Sequence, residues 1–171
     1  SAYALVSEVD GRLHRLALPN LEAASDAPLG AIVEARRLTG QRAAVTVLAI
    51  RSDLTLGEQV TADGATWLDR QLVGQGRADL AETGFGAEVH AALDRRSEHL
   101  IAAGLARRDA GAAIRFAPDL IETLRRRELA AANARLTAET GLAHHAVAEG
   151  ESLAGVVRRR VTLASGRFAM I

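Results

Sequence analysis

The spacing of apolar positions along the chain changes period twice. Tyr3 to Val9 and Arg12 to Leu18 are apolar-rich runs of strand length, separated by Asp10-Gly11, a dipeptide that supplies the positive φ angles of a two-residue hairpin turn. After the polar stretch from Pro19 to Pro28, a second pair is predicted: Ala31 to Arg37, a turn at Thr39-Gly40, then Arg42 to Ile50. The run Ala43 to Ile50 is apolar at nearly every position, the pattern of a strand covered on both faces. From Asp53 the spacing becomes helical. Thr61 or Asp63 is expected to cap a helix running to about Val73, with Trp67, Leu68, Leu72 and Val73 as its apolar side. A second helix, Ala87 to Ala103, carries Val89, Leu93, Leu100 and Ile101 at helical intervals with the stem of Arg96 among them, and Gly104 stops it. Leu105 to Arg108 and Ala112 to Phe116 read as a short hairpin around Asp109-Ala110-Gly111. Pro118 then opens a long helix through Leu120, Ile121, Leu124, Leu129, Ala132 and Leu136 to Gly141, with Asp119 and Glu122 in its first turn. The last residues return to strand, Leu153 to Leu163 and Arg167 to Ile171. A turn at Ser165-Gly166 would set Leu163 opposite Phe168 and Val161 opposite Met170.

These elements predict an α+β protein. Its small antiparallel β body combines residues 1–52 with the hairpin of residues 150–171, and residues 53–149 form a helical, winged-helix-like segment. A lone hairpin is barely stable in water, so the C-terminal pair has to dock, and the N-terminal strands are its expected partner. Ile171 sits inside an apolar run, which suggests a natural domain boundary beyond it.

Composition narrows the chemistry. The 171 residues are 49% apolar but only 3% aromatic, and 36 are Ala, so the core is expected to consist of Leu, Val, Ile and Ala. The absence of Cys removes disulfides, thiolate metal sites and cysteine nucleophiles, and points to a reducing compartment. No apolar run approaches the ~18 residues of a membrane span and no signal-peptide pattern opens the chain, so a cytoplasmic protein is expected. The 21 cations balance the 21 acids, but unevenly: residues 1–52 carry 6 Arg against 5 acids, residues 53–94 carry 2 against 8, and residues 95–171 carry 13 against 8. Every cation is Arg. That choice suits phosphate and carboxylate recognition, and GC-rich coding produces the same bias.

Catalytic and cofactor signatures are missing. His14, His90, His99, His144 and His145 show no recognised ligand spacing, and His90 and His99 fall about 180° apart on one helix, so no metal and no cofactor is expected. Gly84-Phe85-Gly86 follows no strand and reads as a helix entry. Glu58, Asp63 and Asp69 near Trp67 imitate a carboxylate pair, yet cap and solvent-face roles explain them, with Trp67 as a core anchor. The Arg clusters say more. Arg95 and Arg96 lie on the second helix, Arg107, Arg108 and Arg115 on the short hairpin, and Arg125 and Arg126 near the start of the long helix. In a winged helix these elements meet a DNA duplex, which makes the seven a candidate phosphate-contacting set. The alternative is that Arg95 and Arg96 pair with acids such as Asp94 or Glu98 while the rest are solvated. Arg159, facing away from Arg158 and Arg160 in a strand, would need a carboxylate partner if buried.

Four segments resemble a known family: residues 63–73 (Asp63-Gly64-Ala65-Thr66-Trp67-Leu68-Asp69-Arg70-Gln71-Leu72-Val73), Gly84-Phe85-Gly86-Ala87-Glu88-Val89, Leu124-Arg125-Arg126-Arg127-Glu128-Leu129, and the run from Arg158 to Ile171. Together they resemble the C-terminal region of proteobacterial relaxase/mobilisation nuclease proteins, a domain of unknown function, over about residues 3–171. The resemblance implies a piece of a plasmid or integrative-element relaxase. Such proteins nick DNA with a tyrosine beside a histidine-held metal in a separate N-terminal domain. Here the sole Tyr is Tyr3, in a predicted strand, and the histidines are scattered, so no catalytic residue is expected in this chain. The implied role is non-catalytic: DNA binding during mobilisation, or recruitment of the relaxase to conjugation coupling and relaxosome proteins.

Overall fold

The computed structural model describes residues 2–24, 26–39, 44–74 and 76–170. The fold is mixed α+β; among the described residues it has four helices and four antiparallel hairpins, each a separate two-stranded sheet. Strands β1 (Ala2–Ser7) and β2 (Leu13–Leu18) form the first hairpin, and a 3-10 turn (Leu21–Ala24) leads to β3 (Ile32–Thr39) and β4 (Ala44–Ser52). Helices α1 (Leu56–Thr61), α2 (Trp67–Val73) and α3 (Gly84–Ala102) follow, then the short hairpin β5 (Ala106–Arg108) and β6 (Ile114–Phe116). Helix α4 (Leu120–Thr140) and a last hairpin, β7 (Arg159–Leu163) and β8 (Gly166–Met170), complete the order.

The core lies in the helical segment and is organised by α3. Its residues Val89, Ala92, Leu93, Arg96, Ser97 and Leu100 recur at three- and four-residue steps and are all buried, one continuous stripe. The N-terminal half packs with Val60 and Leu68 of α1 and α2, joined by Val9, Trp67 and Phe85. The C-terminal half packs near Ala65, Leu105, Leu120 and Leu124, with Phe116 against them. Trp67 is thus a core anchor.

Several local expectations are corrected. The first hairpin does not turn through two residues. Glu8 N–H donates to Arg12 O at 2.8 Å and Gly11 N–H to Glu8 O at 3.0 Å, so Val9, Asp10 and Gly11 form a three-residue loop with Gly11 at φ +83°. Val9 leaves the ladder because its side chain packs on the helical core and its carbonyl accepts Ala81 N–H at 2.8 Å. The expected single helix before Val73 is two short helices, capped by Thr55 and Thr66 rather than Thr61 or Asp63, each with a reciprocal capping box through Glu58 or Asp69. Strand β4 is not covered on both faces, since Val45 and Val47 are exposed. The turn expected at Thr39-Gly40 lies partly outside the described residues; Thr39 pairs with Ala44.

At the C-terminus, residues 141–158 hold no regular element and are exposed throughout, so the strand expected from Leu153 begins only at Arg159. The register is displaced as well: Leu163 faces Gly166 and Val161 faces Phe168, with Ala164 and Ser165 as the turn. The displacement is two residues, which keeps Val161, Leu163 and Phe168 on one half-buried face. Its cause is Glu128 of α4, whose carboxylate accepts Ala164 N–H at 2.7 Å, Ser165 N–H at 3.0 Å and the Ser165 hydroxyl at 2.5 Å. Arg167 adds a tie to the N-terminal half by donating to the Asp53 carboxylate and, at 2.9 Å, to Asp26 O.

Candidate nucleic-acid interface

The seven candidate arginines divide by burial and partner. Arg96 does not belong to a binding surface. Its side chain is 0% exposed, as is that of Asp69. Nε and one Nη2 proton reach the two Asp69 oxygens at 2.8 and 2.9 Å, a bidentate pair. The remaining protons go to Val60 O, Ala62 O and Gly64 O at 3.2, 2.6 and 3.0 Å. All five guanidinium donors are satisfied, so residues 60–64 wrap the cation with inward-facing carbonyls. Asp69 also accepts Thr66 N–H and the Thr66 hydroxyl, which makes one carboxylate both the helix cap and the counterion. The predicted partners Asp94 and Glu98 are not used by Arg96. Asp94 takes Arg77 at 3.0 Å.

The other six are exposed. Arg108 pairs with Glu98, and Arg115 Nε lies 3.1 Å from Asp109 Oδ2. Exposed pairs of this kind contribute at most about 1 kcal/mol, so their arginines can be redirected to a phosphate at little cost. Arg126 donates to the Thr123 hydroxyl at 3.4 Å. Among the described residues, Arg95, Arg107 and Arg125 have no ion-pair partner. Arg107 and Arg115 are directly opposed across β5 and β6. Arg125 and Arg126 border an open depression on α4 with Glu122, Leu129 and Asn133. Arg159, in contrast, is exposed and pairs with Glu139 at 2.8 Å.

Ionisable shifts fall elsewhere. Hydrogen bonds from Arg167 hold the Asp53 carboxyl below the usual range, and those from Arg36 and Arg51 do the same for Glu34. Gly84-Phe85-Gly86 does enter a helix, but α3 already begins at Gly84, three residues before the expected Ala87, and Gly86 lies where a Cβ would strike Val9 O and Ala81 O.

One cluster escaped the sequence reading. Glu8, Asp10 and His14 bring one ligand-type atom each to within 4.8 Å of the others at the tip of the first hairpin. No helical spacing could reveal it, because a strand register assembles it. Only the hairpin assignment carried a signal.

No curated protein and no solved structure matches this chain. Residues 38–171, which include all seven arginines, the Asp69–Arg96 core and the Glu128 contact, match the family described as "Protein of unknown function (DUF3363)". That span covers well over half of the sequence, and the chain belongs to this DUF3363 family.

Proposed function

We propose that this chain is a non-catalytic accessory domain of a conjugative relaxase that contributes DNA binding during plasmid mobilisation. The observation that carries the reading is the exposed arginine set on α3, β5–β6 and α4, in which Arg95, Arg107 and Arg125 lack an acidic partner among the described residues. In a helix–hairpin–helix arrangement read as winged-helix-like, α3 and the β5–β6 wing would approach the sugar-phosphate backbone, with α4 flanking. These arginines would set position and orientation rather than read bases. The relaxase part of the proposal rests on the sequence resemblance alone, and a cytoplasmic location follows from it.

The test is a triple substitution, Arg107→Ala, Arg125→Ala and Arg126→Ala, assayed by fluorescence anisotropy on duplex and single-stranded oligonucleotides. The proposal expects weaker binding to every sequence and a salt slope shallower by about one for each phosphate-binding arginine removed. Unchanged affinity and slope would remove the surface assignment.

A second reading, a protein-interaction module that recruits the relaxase to the coupling or secretion machinery, is favoured by a different observation. The outer face of the first hairpin exposes Tyr3 (50%), Leu5 (70%) and Leu13 (67%), with Arg15 stacked 4.8 Å over the Tyr3 ring. A pull-down of the coupling ATPase that depends on Leu5 and Leu13 would support this reading, and recovery of nothing would count against it.

A further inference from the structure

The cluster at the tip of the first hairpin is independent of the DNA reading and has its own geometry. Glu8 leaves the end of β1, Asp10 lies in the three-residue loop and His14 is the second residue of β2. His14 Nε2 is shielded from solvent and makes no hydrogen bond, although Glu8 Oε2 lies 2.6 Å from it. The His14 side chain is 41% exposed as a whole, so an ion could reach this nitrogen from the open side. With Asp10 beside them, the imidazole and the two carboxylates bring a mixed nitrogen and oxygen donor set within 4.8 Å.

We propose that Glu8, Asp10 and His14 form a site for a divalent first-row transition-metal ion. One imidazole and two carboxylates suit Zn²⁺ or Mn²⁺, whereas Mg²⁺ and Ca²⁺ prefer oxygen alone. With metal–ligand distances of about 2.0–2.2 Å, two such donors settle about 3.0–3.5 Å apart, so the ion spreads the Glu8–His14 contact by less than about 1 Å. Asp10 keeps an oxygen for this purpose: Oδ1 accepts Arg12 N–H at 2.9 Å, and Oδ2 has only a 3.6 Å approach from the exposed Arg12 Nε. The backbone beneath is fixed. Besides the loop's own hydrogen bonds and the Ala81 N–H on Val9 O, Gly11 lies against Gly84, so closely that a Cβ on Gly84 would stand 3.3 Å from the Gly11 backbone. Three protein ligands leave coordination positions for water or an anionic oxygen. The competing description is a simple ion pair between protonated His14 and Glu8.

Isothermal titration of the full 171-residue chain with zinc chloride near neutral pH decides between them. The site predicts one Zn²⁺ per chain, with affinity reduced at least about tenfold in His14→Ala and Glu8→Gln. His14→Gln keeps the side-chain volume at this half-buried position and should lose affinity equally, which separates ligand loss from misfolding. The double variant His144→Ala, His145→Ala, in the exposed 141–158 segment, should bind as the parent does. Absence of stoichiometric uptake, uptake undisturbed by His14→Ala, or uptake abolished by the His144/His145 pair would each overturn the proposal.

Discussion

At the scale of residues, Arg96 explains most about why these helices sit as they do. Its stem continues the buried α3 stripe between Leu93 and Leu100, and its head is neutralised by Asp69 and by the carbonyls of residues 60–64. The stem position was legible, since 93, 96 and 100 follow helical spacing. The fate of the head was not: its partner is 27 positions away, and no local rule links residues 69 and 96. Removing one member strands a buried charge, so Arg96→Met is expected to cost about 3–5 kcal/mol. Adding Asp69→Leu should recover part of the loss, because the orphaned carboxylate goes too. Urea melts of both variants check this, and a single-variant cost below about 1 kcal/mol would contradict the buried pair. Ala112 is the converse case, a non-glycine residue at φ +62° in the β5–β6 turn. That conformation costs an L-residue about 1–2 kcal/mol, and glycine returns part of the gain as chain entropy. Ala112→Gly is therefore expected to raise stability by about 0.5–1 kcal/mol, seen as a higher Tm; a lower Tm would contradict it.

At the scale of elements, most strands and the two long helices were legible from period; the strand read from Leu153 fails where the apolar residues 153–157 stay exposed with nothing to pack on, and two turns were misread where tertiary packing sets the local geometry. Val9 was read as the end of a strand but is drawn into the helical core. The last turn was read at Ser165-Gly166 and sits at Ala164-Ser165 because Glu128 captures two of its amides. The caps are different. Thr55-Leu56-Gly57-Glu58 and Thr66-Trp67-Leu68-Asp69 both fit a Thr followed three residues later by an acid, so that signal was present and was misassigned to Thr61 and Asp63. Glu128→Ala should release the β7–β8 hairpin alone. Hydrogen exchange is expected to show lost protection over residues 159–170 with α3 protection retained, and equal loss in both would mean that the hairpin is not a separable unit. Acid should loosen the same hairpin through Asp53. Its folded-state pKa is depressed by Arg167, so the unfolded chain binds the proton more readily. The stabilisation is present above the ordinary aspartate value of about 3.9 and is lost as the pH falls through the lower folded value. Asp53→Asn should flatten the stability–pH curve in that window, as followed by denaturant melts; an unaltered curve would contradict the pair.

At the scale of the whole molecule, one line of interactions runs from Arg96 to Gly64 O and from the Glu128 carboxylate beside Gly64 to the C-terminal turn. A side chain at position 64 would meet the Glu128 carboxylate, which would have to swing away from the turn it holds to make room. The other six arginines of the set are exposed, on α3, the β5–β6 hairpin and α4. The zoning was visible in the sequence, but burial was needed to remove Arg96 from the set and ion pairing to rank Arg107 and Arg125 above Arg108 and Arg115. Fluorescence anisotropy of the intact chain on a duplex across a salt series tests the central claim most directly. About three to four arginine–phosphate pairs predict a log–log slope of about −3, at about −0.9 for each phosphate neutralised. No binding at low salt, or binding without salt dependence, would contradict the DNA-binding account.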